Sequence, residues 1–477
     1  MSGYTIQSVK LNKNRVFILQ KSELEKRLDP FFYVPELVEL EKIVLSKQPK
    51  KLRDYVKGIA SGATPKRDEE EKYYSDKING IPFLRVQNVT PFGLDLSDVK
   101  FIKKETHEGY LRRSQVNEND LLVTITGRIA SASVAPKGFI GNINQHSVII
   151  KTDNKEISEQ LAAFLNCEVG QKLAIRRTTG GTRPALDYPA LLSIPILNDR
   201  RILEITKKVV EQKKQNEEEA QKLLESIDDY LLGELGIKLP LPPENTLKNR
   251  IFTTSIKNLS GNRFDPLYWQ GSIYGVIQKT QFPFIKIKAI TKYLINGFAA
   301  GHSAQNINDE GIIQIRPTNI SDNRELVFEK NIYIDNSRRE KLKNDLLITG
   351  EILFNNTNSQ ELVGKSVYFD LEGDFFCSNH ITRIALNEKA EARFLTSILN
   401  LYQRQRVFYK CCINWNNQSG VNIDILKNLQ VPIPPIGKQK EIANHIIGIQ
   451  QQAQQLKDKT NKALKKANTE IEKILLT

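Results

Sequence analysis

The sequence is poor in cysteine and contains no long apolar run. Its four cysteines form no Cys-x-x-Cys pair and no Cys/His pattern with zinc-ligand spacing, so we expect neither a disulfide framework nor a metal site. No segment reaches the roughly 18 consecutive apolar residues of a membrane-spanning helix. The first residues, MSGYTIQSVKLNKNRVF, lack the apolar core of a signal peptide. These absences predict a protein of the reducing cytoplasm that contacts no membrane.

Recognisable catalytic motifs are lacking as well. The two Pro-Pro pairs, at 242–243 and 434–435, lie among Leu and Ile residues and do not form the Asn/Asp-Pro-Pro-aromatic motif of amino-methyltransferases. SQELVGKS at 359–366 resembles the end of a phosphate-binding loop, but Ser359 stands where that loop needs glycine. His146 and His380 each precede a predicted strand, which favours a structural hydrogen bond over acid–base chemistry. We therefore expect no catalytic residue and no cofactor bound by this chain.

Positive charge is what the sequence has in excess. Lys and Arg number 69 against 55 Asp and Glu, which gives a net charge of +14 and a pI near 9.3. Such an excess favours an anionic partner, with nucleic acid ahead of a membrane surface. A basic protein without any polyanion as partner is the alternative.

The sequence repeats itself. RLDPFFYV at Arg27 returns as RFDPLYWQ at Arg263, and further phrases follow in the same order in both halves. Ordered matches at a nearly constant separation indicate an internal duplication. The other matching pairs are NRVF (14–17) with NRIF (249–252), LRVQNV (84–89) with IRPTNI (315–320), NDLLVTIT (119–126) with GEILFNNT (350–357), NQHSVII (144–150) with SNHITRI (378–384), FLN (164–166) with ILN (398–400), and LDYPALLSIPI (186–196) with IDILKNLQVPI (423–433).

Each half has the same predicted layout, an α+β fold. Short β-branched and aromatic runs over 81–150 and 312–386 predict strands of a mixed sheet, and a helix follows over 157–177 or 388–410. The segments between matching phrases differ, most of all 61–80 and 296–311. A chain of 477 residues accommodates two or three domains. We therefore predict two similar mixed α/β domains that present different loops, related as a pseudo-twofold internal repeat.

Two long helices are predicted over 201–232 and 438–476, where apolar residues recur at alternating steps of three and four. This pattern is typical of a coiled-coil seam. Gln212 and Asn216 interrupt the first stripe and are expected to fix its register. The alternative, two separate surface helices, is disfavoured because about 39 residues would form a helix about 58 Å long. The seam residues that define these partner-binding helices are Ile205, Val209, Leu223, Ile227, Ile442, Ile446, Ile449, Leu456 and Ile471.

The predicted domain order follows from these patterns. Gly233 and Gly236 can end the first long helix, and Pro240, Pro242 and Pro243 predict a stiff connector. The predicted segments are a first domain (1–200), a central helix (201–236), a Pro-rich linker (237–248), a second domain (249–436) and a C-terminal helix (437–477).

Polar residues shared by the two halves are expected to serve the fold or to contact DNA phosphates, which carry no sequence information. Arg85 matches Arg316, and Asn88 matches Asn319. The basic helix ends pair Lys172 and Arg176 with Arg406 and Lys410; a solvated helix face is the alternative for these.

Polar residues that differ between the halves are expected to read bases. RTTGGTR (177–183) brings Gly180 and Gly181, which allow close backbone approach, beside Arg177 and Arg183, which suit guanine. NWNNQSG (414–420) brings amide side chains that suit adenine, with Trp415 as a stacking or packing group. An ordinary role in an exposed loop is the alternative for each residue. The other candidates for DNA contact are Lys66, Arg67, Thr126, Arg128, Thr182, Asn355, Asn356, Asn358, Asn416, Asn417 and Gln418.

This architecture resembles the specificity subunit of type I restriction-modification enzymes over nearly the whole chain. The resemblance rests on IPFLRVQNV, NDLLVTITG, GGTRPALDYPALLSIPI, GEILFNNT, FCSNHITRI and VPIPPIGKQKEIANHI. In the second half, Gln418-Ser419 replaces Gly-Thr, and Pro317 follows Arg316. These two departures from the family pattern bear on the details of the DNA loop expected in that domain.

The resemblance implies a non-catalytic subunit of two target-recognition domains, each reading one half of a split double-stranded DNA target. The paired helices would set the distance between the half-sites. Two modification subunits, which hold S-adenosylmethionine and methylate adenine, are the implied partners, and whether a motor-nuclease subunit joins them is left open. The competing hypotheses are an enzyme fused to recognition domains and a repeat scaffold that binds protein.

Overall fold

A computed structural model describes residues 12–25, 27–66, 69–239, 246–251, 253, 268, 280–301, 305, 310–416 and 418–477. Half of the predicted Pro-rich linker, residues 240–245, therefore lies outside the described residues, as do most of RFDPLYWQ, Arg67 and Asn417. Two compact units make up the chain. Unit 1 comprises 1–217 together with 457–477, and unit 2 comprises 218–456.

Unit 1 mixes short strands with helices. Its helices are α1 (Pro35–Ser46), α2 (Glu70–Tyr73), α3 (Lys104–Glu108), α4 (Lys155–Asn166), α5 (Glu168–Arg176), α6 (Tyr188–Leu192) and the first part of α7 (Arg200–Leu235). Its strands are β1 (Lys50–Lys51), β2 (Gly58–Ser61), β3 (Tyr74–Ser75), β4 (Ile81–Leu84), β5 (Val89–Thr90), β6 (Gly93–Leu94), β7 (Lys100–Ile102), β8 (Gln115–Val116), β9 (Leu121–Thr124), β10 (Ala132–Val134), β11 (Gly141–Ile143), β12 (Ser147–Lys151) and β13 (Pro195–Ile196).

Unit 2 has the same mixture. Its helices after α7 are α8 (Leu247–Arg250), α9 (Ala392–Arg404), α10 (Val407–Cys411), α11 (Ile423–Asn428) and α12 (Ile436–Leu476), whose last part belongs to unit 1. Its strands are β14 (Phe284–Lys286), β15 (Thr291–Asn296), β16 (Ile312–Ile315), β17 (Tyr333–Ile334), β18 (Ile352–Asn355), β19 (Thr357–Asn358), β20 (Ser366–Tyr368), β21 (Phe375–Cys377), β22 (Ile381–Leu386), β23 (Ile413–Trp415), β24 (Gln418–Gly420) and β25 (Gln430–Pro432).

The two units repeat one sheet topology. An antiparallel sheet has the order β10-β9-β12-β2 in unit 1 and β20-β18-β22-β15 in unit 2. A second sheet places β7-β4-β11 in unit 1 and β17-β16-β21 in unit 2, and in both the last two strands are parallel. The internal duplication predicted from the repeated phrases is thus confirmed at the level of strand order and direction.

Burial explains why the repeated phrases form the central strands. Every residue of β9, and every residue of β18, is buried. Leu121 and Val123 pack with Phe164 of α4 in the unit 1 core, and Ile352 and Phe354 pack with residues of α9 in unit 2. Full burial of one such side chain contributes about 1.5–3 kcal/mol. Both strands are covered on both faces, so their sequences read as continuous apolar runs.

The single helices predicted over 157–177 and 388–410 are wrong in detail, because each is divided. Cys167 separates α4 from α5 in an extended conformation (φ −72°, ψ 161°), and its sulfur accepts a hydrogen bond from the Gly170 amide at 3.4 Å. Gly170 lies against the carbonyl group of Phe164, where a Cβ atom would overlap it. In unit 2, Arg406 interrupts the helix with a left-handed conformation (φ 61°).

Long helices occupy both predicted segments, and their apolar stripes are buried within each unit. In unit 2, Ile227 of α7 joins Ile442 and Ile446 of α12 in one core cluster. In unit 1, the side chain of Asn216 is buried and donates a hydrogen bond to Thr460 Oγ1 at 2.9 Å. Among the described residues, no helix is both long and apolar enough to cross a membrane.

Burial of the stripe corrects one prediction. Of the seam residues predicted to define partner-binding helices, Ile227, Ile442, Ile446, Ile449 and Ile471 are buried inside this chain, so they are inaccessible to another subunit. Ile205, Val209, Leu223 and Leu456 are half-buried. The apolar periodicity marked the face that packs on this chain itself, and among the described residues the exposed side chains lie mainly on the opposite helix faces.

A repeated glycine gives a test of the scaffold. Gly62 follows β2 and Gly297 follows β15, and a Cβ atom at either position would overlap a backbone carbonyl, of Ile143 or of Cys377. We expect Gly297→Ala to lower the free energy of unfolding by about 2 kcal/mol, because the backbone of β21 must move. Urea denaturation measures this. The matched control is Gly448→Ala in α12, where a Cβ meets open space, and which should raise stability by up to about 1 kcal/mol. Equal effects of the two variants would contradict the steric account.

Candidate nucleic-acid interface

In unit 1, the sheet brings two loops together. Strands β9 and β12 are antiparallel neighbours, so the C-terminal end of β9 lies beside the N-terminal end of β12. The loop after β9 and the loop before β12 therefore lie at the same end of the sheet. The Ile125 amide donates to the His146 carbonyl at 2.9 Å, and Thr126 Oγ1 lies 2.8 Å from His146 Nδ1. The structural hydrogen bond expected for His146 is therefore present.

A third loop, residues 178–185, closes onto the first. Thr179 and Ala185 exchange two backbone hydrogen bonds of 2.9 Å, and the Leu186 amide donates to the Ile125 carbonyl at 2.9 Å. Ala185 also forms a β-bridge with Thr126. We call the set of residues 125–128, 144–146 and 178–185 the unit 1 loop surface.

The tip of the third loop is exposed and cationic. Gly180, Gly181, Thr182 and Arg183 are all exposed. Gly180 has φ +94°, a conformation that favours glycine, and a Cβ there would lie 2.9 Å from the Arg183 carbonyl oxygen. Arg128 is also exposed. Within the part of the chain that the structure describes, the guanidinium groups of Arg128 and Arg183 make no hydrogen bond or ion pair. Both are therefore available to a phosphate oxygen or to an acceptor on a base edge.

Unit 2 forms the same arrangement from the matching strands. The Asn356 amide donates to the His380 carbonyl at 3.0 Å, and the Val421 amide donates to the Asn356 carbonyl at 2.9 Å. The third loop here is a hairpin, because β23 and β24 pair with each other and β24 also pairs with β19. We call residues 356–359, 378–380, 413–416 and 418–420 the unit 2 loop surface.

The unit 2 loop surface is polar rather than cationic. Gln418 and Asn416 are exposed, and Asn416 lies in the hairpin turn with φ 50°. Trp415 is 45% exposed, and its ring lies so close to Gly420 that a Cβ atom there would overlap it. A groove of about 690 Å³ lies beside the unit 1 loop surface, and one of about 580 Å³ beside that of unit 2. The second groove is lined by Arg316, Asn358, His380 and Gln418 among others.

The repeated Arg-x-x-Asn phrase serves the fold in both units. Asn88 is 1% exposed; its Oδ1 accepts from the Arg85 amide at 2.8 Å, and its Nδ2 donates to the carbonyls of Asp95 and Asp98. Asn319 is equally buried and accepts from the Arg316 amide at 2.9 Å. The predicted DNA contact of Asn88 and Asn319 is therefore wrong, because both amides are used inside the protein.

The arginines of this phrase, Arg85 and Arg316, each form part of their hydrogen bonds inside the protein. Arg85 is half-buried and forms an ion pair of 3.0 Å with Asp98. Arg316 donates to the Lys330 carbonyl at 3.3 Å and lines the unit 2 groove. Its Nε atom and Ser378 Oγ are buried there without a hydrogen-bond partner among the described residues. Phosphate contact by these two arginines stays a prediction.

Arg176 and Arg177 are not at the surface. Both are buried and form ion pairs with the buried carboxylate of Glu41. Burial lowers the pKa of Arg177 to about 10. The predicted contact of Arg176 with phosphate and of Arg177 with guanine is wrong, because a buried carboxylate already holds both charges. Lys172 is half-buried and pairs with Glu36 and Glu168.

Two asparagines of unit 2 are also internal. Asn355 is 0% and Asn356 is 6% exposed. The side-chain Nδ2 of Asn356 donates to Asn296 Oδ1, to Thr382 Oγ1 and to the Asn379 carbonyl. Because both side chains are buried, the predicted DNA contact of Asn355 and Asn356 is wrong. Asn358 is half-buried and lines the groove.

The remaining candidates keep their status as predictions. Arg406 is exposed, with its guanidinium 4.0 Å from the centre of the Tyr409 ring. Lys410 is half-buried and Lys66 is exposed. Arg67 and Asn417 lie outside the described residues.

Two exposed residues at the unit 1 loop surface, Gln145 and Thr64, were not among the residues predicted to contact DNA. Both are exposed, and Thr64 Oγ1 is hydrogen-bonded to Gln145 Oε1 beside His146. The signal was available, since Gln145 and Asn379 hold the same place in the repeated phrase but differ in side chain. Across the described residues, no group of three or more His, Cys, Asp or Glu is arranged to hold a metal ion.

Comparison with known proteins identifies the family of this chain. The model of the type I restriction modification DNA specificity domain matches this chain twice, over residues 46–226 and 278–466. A Methanocaldococcus jannaschii protein provisionally named the type I restriction enzyme MjaX specificity subunit is 29% identical over 160 residues, which cover 33% of this chain and 37% of that protein. The type I restriction enzyme StySPI specificity subunit of Salmonella potsdam is 26% identical over 186 residues, 38% of each chain.

A solved structure aligns with most of this chain. The S subunit of a type I restriction-modification system from M. genitalium aligns with 90% of this chain and 94% of its own, with 12% identity and a TM-score of 0.38. The chain spans less than two fifths of the length of the two curated relatives that it matches.

Two arginines of adjacent segments give a test of the interface. We expect Arg176→Ala to lower the free energy of unfolding by about 2 kcal/mol, because it removes buried hydrogen bonds to Glu41 and to the Phe32 carbonyl, while Arg177 still pairs with Glu41. Arg183→Ala should change it by less than about 0.5 kcal/mol, because the side chain is exposed and unpaired within the described residues. Chemical denaturation of both variants measures the difference. Equal losses, or a stable Arg176→Ala variant, would show that the two roles are misassigned.

Proposed function

Because this chain belongs to the family of type I restriction modification DNA specificity proteins, we propose that it is the DNA-reading subunit of a type I restriction-modification complex. Each unit reads one part of a divided duplex target. One observation carries this proposal: the same strands present loops at the same positions in both units, yet the exposed side chains of these loops differ. A shared scaffold with different loop chemistry is what two different half-sites require.

In the first half-site, the unit 1 loop surface contacts guanine. The guanidinium of Arg183 is exposed and unpaired within the described residues, and its fork geometry matches O6 and N7 of guanine in the major groove. Gly180 and Gly181 leave the backbone bare on the same tip, which permits close approach to DNA. Arg128 adds a second exposed cation for a phosphate or a base edge.

In the second half-site, the unit 2 hairpin contacts adenine. The major groove of DNA admits a two-stranded β-ribbon, and amide side chains pair with N6 and N7 of adenine. The exposed amides of Asn416 and Gln418 lie on such a ribbon, formed by β23 and β24. Trp415 stiffens it by packing on Gly420.

Catalysis is assigned to partners. On this proposal the chain itself is non-catalytic, and two methyltransferase subunits with S-adenosylmethionine methylate adenine, joined by a motor-nuclease subunit in a restricting complex. Partners meet the outer helix faces, since the seam is buried. One such face of α12 carries Lys459, Lys462, Lys466 and Lys473, which are exposed and make no ion pair within the described part of the chain.

The proposed function is tested by selecting duplexes from a randomised pool with the full chain at low salt, because phosphate contacts weaken as salt rises. The wild type should select a two-part sequence. Arg183→Ala should reduce discrimination about tenfold at a guanine in one part, and Gln418→Ala by a similar factor at an adenine in the other. Each variant is the other's control, as both side chains are exposed.

Three outcomes would reject this function. Selection of no sequence would favour a protein-binding scaffold. Methylation or cleavage by the purified chain alone would favour a fused enzyme. Loss of both parts from one substitution would contradict independent reading by the two units.

A further inference from the structure

The repeated phrase RLDPFFYV (27–34) has a task in unit 1 that goes beyond core packing. The guanidinium of Arg27 donates two hydrogen bonds of 2.8 Å to the carboxylate of Asp29. It also donates to the carbonyl of Arg177 at 3.1 Å and to the carbonyl of Thr178 at 2.7 Å. One side chain thereby joins the N-terminal segment to residues 150 positions further along the chain.

The position of these two carbonyls matters. Helix α5 ends at Arg176, and the last carbonyl groups of a helix have no partner within the helix. A cation is favoured at such an end, because the helix dipole leaves it partly negative. Thr178 is the first residue of the third loop of the unit 1 loop surface, and Thr179, the next residue, pairs with Ala185. Arg27 therefore holds the backbone at the entrance to that loop.

The rest of the phrase anchors Arg27. Asp29 binds two of its nitrogens, and the hydrogen bond from Arg27 is the main reason that the pKa of Asp29 is lowered. Two guanidinium groups contact the ring of Phe32: that of Arg27 lies 4.6 Å from the ring centre and that of Arg176 lies 4.0 Å from it. The Tyr33 hydroxyl donates to the Arg27 carbonyl at 2.7 Å. Few alternative positions remain for the guanidinium once these contacts form.

The loop is then fixed at both ends and free at its tip. Arg27 holds the entrance, and the paired hydrogen bonds between Thr179 and Ala185 close the stem. Pro30 and Phe31 line the groove of about 690 Å³ together with Gly180 and Gly181. The N-terminal segment thus contacts the stem and faces the same groove as the exposed tip.

We propose that Arg27, held by Asp29, is a positioning residue for DNA reading by residues 179–185, and that it sets the direction in which Arg183 leaves the loop. Arg27 does not touch DNA in this role. The inference rests on the proposed function, since it concerns how the first half-site is read. A fixed stem lowers the ordering cost of base contact, so its loss weakens discrimination more than overall affinity.

The test repeats the duplex selection with Arg27→Ala, Arg27→Lys and a control, Arg15→Ala. Arg15 lies in the same N-terminal segment, is exposed, and its guanidinium makes no hydrogen bond or ion pair within the described residues. Arg27→Ala should reduce discrimination about tenfold in the part of the target that Arg183→Ala affects and leave the other part unchanged. Arg27→Lys keeps the charge but not the planar fork, so it should resemble Arg27→Ala. Arg15→Ala should select the wild-type sequence.

Hydrogen exchange on the same proteins separates positioning from general stability. With Arg27→Ala, the amides of Thr179 and Ala185 should exchange at least about tenfold faster, while those of β12 keep their rates. Unchanged discrimination, loss of both target parts, or faster exchange throughout unit 1 would overturn the proposal. A wild-type chain that selects no sequence would reject the proposed function instead.

Discussion

The antiparallel pairing of β9 with β12, repeated as β18 with β22, is the constraint on which the rest of each unit depends. It places the end of one buried strand beside the start of the next, so the loops at these points meet. The third loop is then recruited by backbone hydrogen bonds to the first, through Ile125 in unit 1 and Asn356 in unit 2. Because these are main-chain bonds, they persist when loop side chains change.

This separation of scaffold from loop explains which residues the duplication retains. A buried polar group is costly unless it is hydrogen-bonded, so Asn88 and Asn319 have to remain where their amides satisfy turns inside each unit. Exposed tips carry no such demand. Arg183 in unit 1 and Gln418 in unit 2 belong to matching loops and differ in charge, because their surroundings do not specify them. The loops can therefore differ between the two units while the sheet stays the same.

Sequence alone predicted the duplication, the strand-bearing segments, the two long helices and the seam on them. Exposed residues of the predicted loops, at 180–183 and at Asn416 and Gln418, form part of the two loop surfaces. Reasoning from sequence could not predict that Arg183 is exposed while Arg176 and Arg177 are buried. The carboxylate that pairs with the two buried arginines belongs to Glu41, which is 135 residues from Arg176. The same holds for Asn356, whose hydrogen-bond partner Asn296 is 60 residues away. Side chains of the same type are buried or exposed according to tertiary contacts, and these contacts leave no pattern in the local sequence.

The helix segments show the same limit in another form. A three-and-four periodicity predicts a buried stripe, and Asn216 indeed lies buried in it with Thr460 as partner. Periodicity does not reveal whether a stripe packs on the same chain or on another subunit. In this chain it packs internally, and the faces that stay open carry the charged residues.

The central claim is that two similar units read separate parts of one DNA address. It is tested most directly by replacing residues 12–199 with the corresponding segment of a relative that has a different target and determining the sequence that the hybrid chain selects. The account predicts a new first part, with the second part and the spacing between them unchanged. A hybrid that changes both parts, or neither, would contradict it.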